Sequence, residues 1–151
     1  MGEVILCAHD GAIVGLWFAG QKYELRGMDE SLDEREGDRE VLTQCKTWLD
    51  DYFSGKAPEI NFPLRPQGTE FQKKVWRELE RIPYGKTLGY GDIAALVGCK
   101  SARAVGAAVG KNPISILIPC HRVLGANSAL TGYAGGLERK IYLLAIEKAT
   151  H

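Results

Sequence analysis

The stretch "YGDIAALVGCKSARAVGAAVGKNPISILIPCHRVLG", Tyr90 to Gly125, decides how this chain is built. Its first part reads as a short helix with Ile93, Leu96 and Val97 turned inward and Gly98 at its end. Cys99, Lys100 and Ser101 turn the chain, and Ser101 caps a second helix that Asn112-Pro113 stops. Two short helices joined by so tight a turn predict a helix-turn-helix. The second helix is nearly bare: beside Ala102, Ala104, Gly106, Ala107, Ala108 and Gly110 stand Arg103 and Val105. Each glycine weakens a helix by roughly 1 kcal/mol relative to alanine, so something must compensate. Tight packing inside the protein is one compensation. Close approach of a partner's backbone is the other, and Arg103 on a smooth helix suits a DNA groove. Recognition helices that read base sequence display several polar side chains, which this one lacks, so sequence-specific readout is not expected.

Beyond the helices, Ile114–Ile118 carry hardly a polar atom and read as a buried strand that ends at Pro119. Cys120 and His121 follow side by side. A cysteine attacks as its thiolate, which cations or hydrogen-bond donors must stabilise, whereas a core cysteine is simply packed. In an extended segment neighbouring side chains point to opposite faces, so a water or a local bend would have to connect the two. The imidazole would also need an orienting partner. Further on, "TGYAGG" (Thr131 to Gly136) sets Tyr133 among glycines, either as a surface turn or as a loop that approaches a flat ligand. A final helix is expected from Leu137 to about Ala149, with Leu137, Ile141, Leu144 and Ala145 as its apolar stripe. Glu147 falls at the stripe's edge, as a solvated flank residue or as the partner of His121.

Upstream, Thr69 and Gln72 form a capping box for a helix that buries Phe71, Val75, Trp76, Leu79 and Ile82. The Pro- and Gly-rich segment at about 54–68 reads as a linker between a first unit, 1–62, and a second, 63–151. The first unit opens with two strand-like runs joined by His9-Asp10-Gly11. An acidic, loop-like segment from Met28 to Asp38 follows, and then an amphipathic helix through Val41, Leu42, Cys45, Trp48, Leu49 and Phe53. Net charge is zero overall, but residues 1–62 hold 6 Lys/Arg against 13 Asp/Glu, and the remainder 13 against 6. Such an asymmetry fits a nucleic-acid-facing half beside an acidic one, or two halves that attract each other. No apolar run approaches the roughly 20 residues of a membrane-spanning helix, and the start lacks a signal-peptide pattern, so a soluble intracellular protein is expected. Four scattered cysteines fit a reducing compartment.

"PCHRV", preceded by "KNPISILI" and followed by "TGYAGGLERK", closely resembles the O6-alkylguanine-DNA alkyltransferases, from about Gly68 to the end. The first half is similar more loosely, through "DGAIVGLWFAGQKY", and by that resemblance it is expected to be abbreviated by about a strand. The resemblance implies an α+β fold, with a small ribonuclease H-like sheet-plus-helix domain followed by a mostly helical domain that contains the helix-turn-helix. It implies repair of duplex DNA by irreversible, single-turnover transfer of the alkyl group of O6-alkylguanine, and more weakly O4-alkylthymine, to Cys120. His121 would act as base through a water, Glu147 would hold His121, and Asn112 would organise the turn. Tyr90 would assist base flipping and donate a proton. Tyr133 and the backbone around Ala134 would bind the base, with the Val123 carbonyl on the opposite side. Arg103 would fill the stack, and Ala102 and Gly106 would lie in the minor groove.

The same resemblance predicts a monomer in the cytoplasm or nucleus, with no cofactor and no membrane. Some relatives hold zinc in the first half. Here Cys7 and His9 stand two residues apart, Cys45 is distant and a fourth ligand is missing, so no metal is expected. The competing readings are a non-catalytic damaged-base binder, which would lack the acceptor cysteine, and a helix-turn-helix regulator. A papain-like hydrolase is the third, and no oxyanion hole can be argued for it.

Overall fold

In the structure, a computed structural model that describes residues 4–18, 36–125, 133 and 135–147, the chain opens with a hairpin of β1 (Val4–His9) and β2 (Ala12–Phe18). Asp10 and Gly11 take φ of 49° and 76°, the left-handed pair that a two-residue hairpin turn requires. The Gly11 amide donates to Asp38 Oδ1 at 2.8 Å, which ties the turn to helix α1 (Glu36–Phe53). Helix α1 thus begins inside the acidic segment expected to be a loop, of which residues 28–35 lie outside the described residues. Of the predicted face, Val41, Cys45, Trp48 and Leu49 are buried and Leu42 and Phe53 partly so, while Tyr52, outside that face, is fully buried.

Every residue of β2 is buried, because its second edge is also covered. The Ile13 amide donates to the Pro63 carbonyl at 2.9 Å, and the Arg65 amide to the Ile13 carbonyl at 2.8 Å. Farther along, the Leu16 amide donates to Pro113 at 2.9 Å and the Ser115 amide to Leu16 at 3.0 Å. The first half therefore meets the second through backbone ladders as well as side chains, and a single apolar core runs from Ile13 to Leu143.

Helix α2 (Glu70–Glu80) starts at the expected capping box: Gln72 N donates to Thr69 Oγ1 at 3.1 Å, and Thr69 N to Gln72 Oε1 at 2.9 Å. Strand β3 (Leu88–Gly89) leads into α3 (Tyr90–Val97), which Gly98 ends at φ 69°, and α4 (Ala102–Gly110) follows at 101° to it. Ser101 Oγ accepts from Ala104 N at 3.1 Å, the predicted cap. Leu96 faces outward, 56% exposed, and Ala94 takes its inward place beside Ile93 and Val97. Trp76 of α2 holds α4 from inside, its Nε1 donating to the Ala108 carbonyl at 2.9 Å.

The apolar run Ile114–Ile118 is not an extended strand. After the one bridge from Ile114 to Leu16 it folds into a tight turn: Leu117 N reaches Ser115 O at 2.8 Å and Ile118 N reaches Ile114 O at 3.0 Å. Ile116 sits at φ 71°, a conformation that a β-branched residue adopts only under strain. A single 3-10 turn, Cys120–Arg122, then leads to β4 (Val123–Leu124), which pairs in parallel with β3. The last helix, α5 (Leu137–Glu147), buries Lys140, Leu143, Leu144 and Glu147. The expected stripe is thus rotated: Leu137 and Ile141 are about half exposed and Ala145 faces solvent.

Replacing Trp76 by Phe leaves the Ala108 carbonyl with the Lys111 amide, at 3.2 Å, as its donor and removes the indole's bulk from the core. The lost hydrogen bond and the smaller ring are expected to cost about 1–3 kcal/mol, read as a lower urea midpoint at unchanged slope.

Candidate functional site

Asn112 builds the turn that carries Cys120. Its Nδ2 donates to the Ile118 carbonyl at 2.8 Å and lies 3.4 Å from that of Ile114, while its Oδ1 accepts from Ile114 N at 3.0 Å. The side chain thus supplies the partners that a ladder would give an extended strand. Cys120 sits at the end of this turn, 5% exposed, its amide bonded to Ile118 O at 2.8 Å. Burial pushes its thiol up from the ordinary range. The Asn112 side chain, the charge of Lys140 and the Tyr133 hydroxyl pull in the opposite direction without reversing the shift. A neutral thiol at rest needs a base to become a nucleophile.

His121 is fully buried in the same 3-10 turn, and its Nε2 faces Glu147 Oε2 at 2.6 Å. A carboxylate accepts, so Nε2 carries the proton and Nδ1 presents its lone pair. Among the described residues Nδ1 has no hydrogen-bond partner. Burial pushes the imidazole down from its ordinary range, against the opposing pull of Glu147. The neutral, proton-accepting form is therefore the resting one.

Glu147 gathers donors from several parts of the chain. Arg122 contributes two, Nε to Oε1 at 2.7 Å and Nη2 to Oε2 at 3.0 Å. Tyr52 Oη donates to Oε2 at 2.5 Å, and the Gly85 amide to Oε1 at 3.3 Å. Burial pushes this carboxyl up, but the bonds from His121, Arg122 and Tyr52 more than offset it and hold it at about 2. Arg122 is itself fixed, with Nη1 on the Ile82 carbonyl at 2.6 Å and its guanidinium over the Tyr84 ring at 5.8 Å. Sequence reasoning missed Arg122, Tyr52 and Lys140. Arg122 lies within "PCHRV" and could have been weighed there; Tyr52 and Lys140 leave no local signal. Lys140 is fully buried on α5, and its Nζ donates to the Val123 carbonyl at 2.6 Å, the acceptor assigned above to the base.

The expected residues fall into two groups. Cys120, His121, Glu147, Asn112 and Val123 lie in the interior, and the partly buried Tyr133 packs against it, edge-on to Phe18 with centroids 6.2 Å apart. Tyr90, Ala102, Arg103 and Gly106 line an outer groove of about 620 Å³ with Gly89, Gly91 and Gly125. The β3–β4 pair joins the groups: Val123 leaves the Cys-His turn and Gly89 precedes Tyr90. Ala134 lies outside the described residues. The glycines of α4 are not demanded by internal packing. A Cβ on Gly106 would meet only the Tyr90 ring, at 3.8 Å or more, and one on Gly110 would meet nothing within 4 Å. The outward face of α4 is smooth without an internal need for it.

The pH dependence of stability follows in sign. The Glu147 carboxyl, held at about 2, binds fewer protons folded than unfolded, so its contribution is complete above about 4.5. It is lost as pH falls toward 2, a change of roughly 3 kcal/mol. His121, shifted down by burial, adds a loss that sets in below about 6.5. Urea midpoints measured against pH are expected to fall steeply on the acid side for the natural chain. Glu147→Gln should be less stable at neutral pH, with a shallower fall between about pH 4.5 and 2.

Two family profiles match this chain in order. Residues 1–66 match the 6-O-methylguanine DNA methyltransferase, ribonuclease-like domain, and residues 70–149 match the DNA binding domain of the same family. A methylated-DNA–protein-cysteine methyltransferase of Methanosarcina acetivorans is 43% identical over 148 residues, covering 97% of this chain and 92% of its own. The constitutive enzyme of that name from Bacillus subtilis is 42% identical over 154 residues, covering 100% and 92%. Among solved structures, Mycobacterium tuberculosis OGT in complex with DNA superimposes with a TM-score of 0.84 at 38% identity, over 98% of this chain and 90% of that one. These matches agree with the α+β architecture, and the chain belongs to the 6-O-methylguanine DNA methyltransferase family.

Proposed function

We propose that this protein repairs DNA by direct transfer of the alkyl group of O6-alkylguanine, and more weakly of O4-alkylthymine, to the sulfur of Cys120. The observation that carries the reading is the buried chain from Glu147 through His121, with an unengaged Nδ1, beside a thiol held neutral by burial. The thiol proton passes through a water to His121 Nδ1, and the Glu147 carboxylate stabilises the imidazolium that forms. The thiolate attacks the alkyl carbon, the carbon–O6 bond breaks, and the base leaves with a proton from the Tyr90 hydroxyl. The product is a thioether with no acyl carbon for water to attack, so each molecule acts once.

A base inside a duplex cannot reach this thiol. The α3–α4 pair acts as a helix-turn-helix that lays the smooth face of α4, with Ala102 and Gly106, in the minor groove. Extruding the base costs a few kcal/mol, and Arg103 offsets part of that cost by filling the vacated stack. Tyr133, Ala134 and the Val123 carbonyl receive the flipped base. Residues 1–62 form a supporting domain and 63–151 the alkyl-accepting, DNA-binding one. The protein works as a monomer on double-stranded DNA, in the cytoplasm or nucleus.

Duplex DNA with labelled O6-methylguanine tests this directly. At most one methyl per protein is expected, on the peptide that contains Cys120, and none for Cys120→Ala. Several turnovers per molecule, or label elsewhere, would sink the reading. Arg103→Ala is expected to slow transfer from the duplex by about tenfold or more while leaving transfer from free O6-methylguanine base nearly unchanged, because the free base needs no extrusion.

A further inference from the structure

The carboxylate that orients His121 is also held by a residue from the other half of the chain. Tyr52 of α1 is fully buried, and its hydroxyl donates to the same Oε2 of Glu147 that faces His121 Nε2. Its ring is fixed by stacking on Trp48, at 5.2 Å and 16°, and by edge contacts with Phe53 and Tyr84. Resting on the alkyl-transfer reading above, we propose that Tyr52 is a positioning residue that sets the basicity of His121 by sharing Glu147 Oε2 with it.

How firmly His121 keeps a proton depends on how much negative charge faces its Nε2–H. An O–H bonded to the same oxygen at 2.5 Å draws on that charge and leaves less for the imidazolium. The other groups around the pair are Glu147 and Lys140 from α5, Arg122 and Cys120 from the 3-10 turn, and Tyr84 and the Gly85 amide from the loop after α2. For His121, Glu147 opposes the downward push of burial, whereas Arg122 and Lys140 reinforce it. Tyr52 acts in the same sense as these two cations but brings no charge. Burial and the adjacent carboxylate keep its phenol well above the ordinary range, so it donates throughout and never takes over the thiol's proton. That proton goes to His121 Nδ1, the S–C bond forms as the carbon–O6 bond breaks, and Tyr52 ends as it began.

Transfer rates of the full chain on O6-methylguanine duplex DNA, measured against pH, test the proposal. Tyr52→Phe removes one hydroxyl and keeps the ring. Its acid limb is expected to move to higher pH, so that at the natural chain's midpoint it is about threefold slower, while its high-pH plateau is equal or higher. Tyr84→Phe removes a neighbouring hydroxyl that donates to the Ile146 carbonyl at 3.2 Å, and is expected to keep the natural midpoint. A superimposable profile for Tyr52→Phe would overturn the assignment, as would a lower plateau without a shifted midpoint, or an equal shift in Tyr84→Phe. Should Tyr52→Phe not fold, NMR of the natural chain decides: the Tyr52 hydroxyl proton should move together with His121 C2–H through the imidazole titration, and a stationary signal overturns it. Failure of the natural chain to transfer at any pH would overturn the alkyl-transfer reading instead.

Discussion

The buried carboxylate of Glu147 is the constraint on which the rest of this structure depends. An ionised group in a protein interior costs several kcal/mol unless its lone pairs are met by well-placed donors. Here they are met by Tyr52 of α1, Gly85 after α2, and His121 and Arg122 of the 3-10 turn. These donors come from distant parts of the chain, so satisfying one carboxylate fixes the mutual positions of those parts. The network that compensates the charge is also the network that orients the imidazole. Packing and chemistry are not separable at this point of the fold.

Burial has a second effect on the same site. The thiol of Cys120 is kept neutral and out of water, which shields the sulfur from passing oxidants. Its placement is rigid because the turn beneath it is held by a side chain rather than by a sheet. Asn112 bonds both ends of that turn, and Ile116 is held in a left-handed conformation it would leave if it could. The strain stays local because neighbouring packing and the Asn112 bonds outweigh it.

Much of this was legible in the sequence where the signals are local. The capping box at Thr69, the αL glycine at Gly98, the cap at Ser101 and the Asp10-Gly11 turn all stand where their chemistry places them. What failed depends on distant residues. Ile114–Ile118 read as a strand because an apolar run does not distinguish a strand from a buried turn, and the deciding partner was the Asn112 side chain. The stripe of α5 was misplaced because a lysine reads as surface by type, whereas Lys140 is buried against the Val123 carbonyl. Tyr52 meets Glu147 across 95 residues, which no periodicity reports. The thiol and imidazole were visible at once as neighbours, but their 3-10 geometry was not.

The second edge of β2 is covered twice, by Pro63–Arg65 and by Pro113–Ser115. By family profile the chain divides in two, yet by backbone hydrogen bonding it does not. A fragment that begins after the linker would present the Pro113 carbonyl and the Ser115 amide to water as a short unpaired backbone edge, next in the chain to the turn that carries the thiol. Such an edge recruits whatever extended backbone is at hand, including another copy of the fragment. The first half serves as a molecular splint: its Leu16 occupies that edge and keeps other backbone from it.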